Sequence, residues 1–233
     1  MNRLLSYLPT ALIALVFGFL GAWGFSQTGM ANSGTREWLL ENPDILPAMA
    51  EAYRDEEAKK RMAGIAGELE APFPGAVLGN PKGTVTLVEF SDYACGFCRQ
   101  SVPDIKALIA ANPDLKVVIR EWPIFQGSDV PARLALAAAK QGKYAAFHDA
   151  LFAAGPPTQA TMMAAAKTAG VDLDAAKAFM GSREVEAELQ KNQRLAMQLG
   201  YEGTPGWVVG SKVFAGAVGR AEIGKAIEDA RGS

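Results

Sequence analysis

The sequence predicts an α/β domain carrying a large helical insertion and preceded by a helical extension, and three observations predict it. An apolar run over residues 84–90 reads as a strand and leads into Cys95-Gly96-Phe97-Cys98, the only two cysteines of the chain. Beyond them Ile105, Leu108 and Ile109 recur at helical spacing. A second strand-like run, residues 115–122, ends at Pro123, and residues 130–199, rich in Ala, Leu and Met, read as a helical block. Composition agrees: 233 residues, 49% hydrophobic and 21% charged, describe a globular protein with room for one well-cored domain. The net charge of −2, without a basic block, gives no electrostatic support for binding nucleic acid.

In chain order, residues 1–31 come first. Nothing from residue 4 to residue 34 is charged, and residues 8–25 are almost wholly apolar. Arg3 precedes this run and the next basic residue is Arg36, so the bulk of the chain is expected outside the cytoplasm. Two fates stay open. Gly29-Met30-Ala31 suits cleavage after Ala31, whereas Trp23 and Phe25 suit an uncleaved anchor, the reading preferred here. Either exports the domain to a compartment where disulfides persist.

Residues 32–69 read as a polar helical extension. Asn42-Pro43-Asp44 is a helix start with Asn42 as the cap. Ile45, Leu46, Met49, Ala52, Tyr53, Met62, Ile65 and Leu69 then make one apolar stripe on a single charged helix. The stripe either packs on the chain's own core or joins copies of the chain through residues 36–69. Pro72 and Pro74 end that helix, and residues 79–83 turn the chain into what reads as its first strand. Gly142, Gly155, Gly170 and Gly181 divide residues 130–199 into several helices. Short strands at 207–209 and 213–214 and a helix over 220–231 close a domain spanning residues 70–233. This order is that of a thioredoxin-type sheet with a helical insertion.

The cysteine pair stands at a strand-to-helix junction. The unpaired N–H groups and the positive end of the helix dipole there stabilise a thiolate on Cys95, and Cys98 follows one turn later to resolve a mixed disulfide. Cys95 is expected to be the accessible sulfur. A structural bridge over so short a loop would be a poor staple, and a structural zinc needs about four ligands where His148 is the only further soft donor. Two thiolates could also hold copper(I), giving a copper-tolerance protein as the alternative. Redox exchange needs no organic cofactor.

Residues 79–98, with Glu121-Trp122-Pro123-Ile124, Ser128 and Gly203-Thr204-Pro205-Gly206, resemble the DsbA-like thiol-disulfide oxidoreductases. Within that family the resemblance is greatest to the suppressor-of-copper-sensitivity protein C (ScsC) type, whose N-terminal segment is similar to residues 38–45. The resemblance implies a redox pair Cys95/Cys98, a cis-proline at Pro205, and a substrate groove shaped by Gly96, Phe97, Thr204 and Pro205. It implies protein substrates with cysteines and a membrane partner that recycles the pair. Gly96-Phe97 lacks a histidine and is closer to the dipeptide of exported isomerases, so a milder oxidant is expected. The direction, isomerase or oxidase, stays open. Glu121 either relays protons to Cys98 or is a solvated strand-end acid, and His148 is read as a capping or surface residue.

Overall fold

The structure, a computed structural model, describes residues 8–27 and 30–232. The described residues fall into two units, one ending at Tyr53 and one beginning at Arg54. The first holds helices α1 (Leu8–Gln27) and α2 (Met30–Glu41), a 3-10 turn (Pro43–Ile45) and the start of α3 (Leu46–Met62). Side chains of α1 are described for residues 12–25, and Leu12, Phe17 and Phe19 among them are exposed. Among the described residues no helix is long and apolar enough to cross a membrane. Arg3 and Gly29 of the expected leader lie outside the described residues.

Asn42 does not cap the following helix. Its amide instead donates to the Trp38 carbonyl at 2.8 Å and closes α2, and α3 begins only at Leu46. The single long helix expected over the extension is two: α3 stops at Met62 and α4 (Ala66–Glu70) follows. Gly64 adopts φ +82° between them, a left-handed conformation that glycine enters without steric cost.

The sheet of the second unit has the order β1-β3-β2-β4-β5. Its strands are β1 (Val77–Gly79), β2 (Val85–Ser91), β3 (Leu115–Glu121), β4 (Gly206–Val209) and β5 (Lys212–Ala215). Strands β2 and β3 are parallel, joined by α5 (Gly96–Ala111), and the other pairings are antiparallel. The three-residue edge strand β1 was not expected from the sequence. It lies in the stretch between the Pro-rich break and Gly79, too short to show a period.

The insertion is α6 (Asp129–Lys140), α7 (Tyr144–Ala154), α8 (Gln159–Ala169), α9 (Leu173–Met180) and α10 (Arg183–Leu199), and α11 (Arg220–Arg231) closes the chain. Alternation along the strands gives the sheet two apolar faces. Leu87, Val117 and Ile119 pack with α5, α6, α7 and α11, the face that also holds both cysteines. Val88, Phe90 and Val118 pack with Leu195 and Leu199 of α10 and with Met62, Ile65 and Leu69. The C-terminal half of the apolar stripe is therefore core, while Leu46, Met49 and Tyr53 are exposed.

Arg120 faces the second core and is completely buried. Its two terminal nitrogens donate to Glu188 at 2.8 Å, to Asn192 at 3.3 Å, and to the carbonyls of Glu68, Leu69 (2.9 Å) and Ala71 (2.5 Å), while Nε is buried without a partner. Those carbonyls end α4, so a buried cation caps the C-terminal end of that helix.

Candidate active site

Strand β2 delivers the chain to a tight turn in which Cys95 N donates to the Asp92 carbonyl at 3.0 Å. Cys95 is the N-cap of α5, with extended backbone, and its sulfur accepts from Cys98 N at 3.4 Å. The same sulfur lies 3.3 Å from the Thr204 carbonyl, to which the thiol donates. Both cysteines are free thiols. The hydrogen bond from the Cys98 side chain, helped by Thr204 and by the Cys98 and Phe97 N–H groups and opposed by burial, pulls the Cys95 thiol down to about 5. Cys98 is pushed well up by that shared proton, by burial and by the Glu89 charge. One sulfur is thus made a nucleophile and its neighbour is kept protonated. Cys95 is less accessible than the sequence suggests: it is 3% exposed and Cys98 0%.

Thr204-Pro205 is a cis peptide. Thr204 is buried with its hydroxyl unpartnered, beside the sulfur its carbonyl touches. Gly206 begins β4 opposite Phe90, and a Cβ there would stand 2.7 Å from the Tyr201 ring, so only glycine fits. Tyr201 is fixed in turn by donating to the Trp207 carbonyl at 2.6 Å. Gly96 faces open space and Phe97 is 58% exposed. A groove of about 520 Å³ runs past Phe97, Glu202, Gly203, Thr204, Ala215 and Gly216. Gly96, Phe97, Thr204 and the cysteine pair are therefore brought together.

Glu121 is not a solvated strand-end acid but is completely buried. It pairs across the parallel strands with Ser91, on the sheet face that holds the cysteines. Tyr144 and Tyr93 donate to its Oε1 at 2.6 and 3.1 Å, and Oε2 has no partner. Burial holds its carboxyl up to about 8 against the pull of the two tyrosines. It bonds to neither sulfur and reaches the active-site turn through Tyr93.

The carboxyl whose charge acts on both sulfurs is Glu89, which the sequence reading passed over. Burial pushes it up to about 8 as well, against the pull of the Ser91 hydroxyl. Its signal was legible, since an acid in the middle of an apolar strand is costly to bury unless it stays neutral. Asp92, also passed over, is buried with four donors on its carboxylate. His148 is neither cap nor surface: it is 3% exposed and packed against Tyr93, Tyr144 and Phe152. Burial lowers its pKa and keeps it neutral.

A thioredoxin-like oxidoreductase from Silicibacter pomeroyi is 40% identical, with 67% of this chain and 92% of that one covered and a TM-score of 0.63. The thiol-disulfide exchange protein alpha-DsbA2 from Wolbachia pipientis is 26% identical, covers 76% and 97%, and has a TM-score of 0.68. The catalytic domain of Proteus mirabilis ScsC, 22% identical with a TM-score of 0.66 over 75% and 99% of the chains, shares the fold. A curated relative, the Na(+)/H(+) antiporter NhaA 1 of Salinispora arenicola, is 26% identical over 66% of this chain. The chain spans only 24% of that antiporter's length. The family described as the DSBA-like thioredoxin domain matches residues 86–228, which include both cysteines and Thr204-Pro205, and the chain belongs to that family.

Proposed function

We propose that this thiol-disulfide oxidoreductase acts on exported proteins, with Cys95 as nucleophile and Cys98 as resolving thiol, and that isomerisation is its preferred direction. One observation carries the reading: a single sulfur at the N-terminus of α5, pulled down to about 5, beside a thiol held protonated. The Cys95 thiolate attacks one sulfur of a substrate disulfide, forming a mixed disulfide and releasing a substrate thiolate. In isomerisation that thiolate, or another of the substrate, attacks the Cys95-linked sulfur, and Cys95 leaves unchanged with no net oxidation. In reduction Cys98 loses its proton and attacks Cys95, so the pair is oxidised and the substrate leaves with two thiols. The Cys98 proton passes to a neighbouring carboxyl in its ionised form. Glu89 acts directly on both sulfurs, and Glu121 is the further relay through Tyr93.

The histidine-free dipeptide Gly96-Phe97 supports the milder, isomerising direction, because one source of thiolate stabilisation is missing. Gly96, Phe97, Thr204 and Pro205 form the substrate groove. Residues 8–25 hold the domain at the outer face of the inner membrane, or residues 1–31 are removed near Ala31. A membrane redox protein restores the pair. The domain proper is residues 70–233 with residues 54–69 packed into its core, and the exposed apolar residues Leu46, Met49 and Tyr53 of the extension bring copies of the chain together.

The test is a scrambled, fully oxidised substrate protein mixed with the full chain. Native activity should return without added oxidant, and Cys95→Ser should abolish it. Cys98→Ser should accumulate a mixed disulfide through Cys95. Stoichiometric copper(I) binding by the parent, with no recovery of the scrambled substrate, would select the copper-handling alternative.

A further inference from the structure

Asp92 takes no part in the exchange steps above, yet its carboxylate joins two loops around the nucleophile. It is 2% exposed. Oδ1 accepts from Ala94 N at 2.8 Å, inside the active-site turn. Oδ2 accepts from Ile124 N at 2.8 Å and Phe125 N at 3.2 Å, and the Ser128 hydroxyl lies 2.7 Å away. That hydroxyl is also 2.7 Å from the Phe125 carbonyl. It has one proton, and an ionised oxygen is the stronger acceptor. The buried charge thus trades water for four donors, one from the turn and three from the loop ahead of α6.

The two loops touch elsewhere. Trp122 N donates to the Ser91 carbonyl at 2.9 Å and Tyr93 donates to Glu121 at 3.1 Å. Both of these bonds sit before Pro123, where β3 is still held by the sheet. Past Pro123, the carboxylate of Asp92 fixes the loop, and on its other side Ala94 N is one residue from the reacting sulfur.

We infer that Asp92 is a positioning residue for disulfide exchange: its carboxylate fastens residues 92–95 to residues 124–128 and so keeps the Cys95 sulfur aimed at the Cys98 N–H. The inference rests on Cys95 being the nucleophile. Its physical content is preorganisation. The Cys95 sulfur accepts from the Cys98 N–H at 3.4 Å, long enough that a small relaxation of the turn would release it.

Asp92→Asn separates this role from the two others a buried carboxylate could have. Asparagine keeps the size but turns an NH2 toward donors on one side, so one loop is let go. In the reduced full chain the Cys95 thiolate absorbance should then titrate about one pH unit higher. Exchange with a small aromatic disulfide should slow roughly fivefold at pH 4.5 and scarcely change at pH 8. A purely electrostatic Asp92 would move the midpoint down, because a negative charge near a thiolate disfavours it. A purely structural one would lower the melting temperature and leave the midpoint in place. Either result overturns the inference. Should Asp92→Asn fail to fold, Ser128→Ala removes a single donor. A smaller upward shift supports the clasp and an unmoved midpoint overturns it. Exchange that survives Cys95→Ser would instead reject the reading of Cys95 and leave the clasp aside.

Discussion

At the scale of single residues, the reactivity of Cys95 is built from weak contacts that converge on one sulfur. Helix N–H groups, the Cys98 thiol and Thr204 each favour the thiolate, and burial and the Glu89 charge oppose them. Thr204→Val measures one of these contributions. Valine keeps the β-branched shape but replaces a hydroxyl that has no other partner in the structure. The expected outcome is a Cys95 midpoint higher by some tenths of a pH unit, read by thiolate absorbance, with a melting temperature within a few degrees of the parent's. A much lower melting temperature with an unmoved midpoint would make Thr204 a packing residue. The cysteine pair was legible in the sequence from its spacing, and Thr204-Pro205 from the resemblance of Gly203-Thr204-Pro205-Gly206 to the family's loop. Glu121 was legible only as an acid near a strand end. Its burial between Tyr93 and Tyr144 depends on α7, and no local pattern reports a contact made across 23 residues.

At the scale of elements, the extension divides by burial. Met62, Ile65 and Leu69 are part of the core, and Arg120 is bonded to carbonyls at the end of α4. Truncation to Arg54 should preserve the fold. Truncation to Glu70 should remove the buried side chains of Met62, Ile65 and Leu69, each worth about 1.5–3 kcal/mol. It would also leave a buried guanidinium short of acceptors, so a loss on the order of 5 kcal/mol is expected from urea midpoints of the two fragments. Light scattering on the Arg54 fragment tests the proposed self-association. If Leu46, Met49 and Tyr53 join copies, a chain cut there is smaller in oligomeric state than one beginning at residue 32, and it loses isomerase activity faster than reductase activity. Equal masses would remove the oligomer from the proposal. The helical periods of the insertion could be read directly, since glycines punctuate them. The break at Gly64 could not, because one glycine inside a periodic stripe is also tolerated within a helix.

At the scale of the whole molecule, buried acids set how stability responds to pH. Glu89 and Glu121 keep their protons up to about 8 when folded and release them near 4.5 when unfolded. Between those values the folded state binds more protons, so stability falls as pH rises. Cys95 acts in the opposite sense. It is a thiolate above about 5 when folded and a thiol up to 9 when unfolded, so its contribution grows with pH. His148, with its pKa lowered, adds stability that is present above 6.5 and lost as pH falls. Between about pH 6.5 and 7.5 the reduced protein should therefore lose stability with the release of about one net proton, ~1.4 kcal/mol per pH unit. The oxidised protein, without the Cys95 thiolate, should fall by about that much more. Urea midpoints of both forms at the two pH values check this, and Glu121→Gln should flatten each slope by one proton. A steeper fall in the reduced form would show that the Cys95 charge is not stabilised as described.

Strand β3 carries one further consequence. Arg120 and Glu121 are consecutive, so they point to opposite faces, the guanidinium into a ring of carbonyls and the carboxyl toward two tyrosines. Sliding β3 by one residue along β2 would exchange their faces. It would drive a cation into the face that holds the cysteines and leave the α4 carbonyls facing an acid. The pair works as a vernier, admitting one setting of the parallel strands, and that setting is the one in which Ser91, at the threshold of the active-site turn, stands beside Glu121.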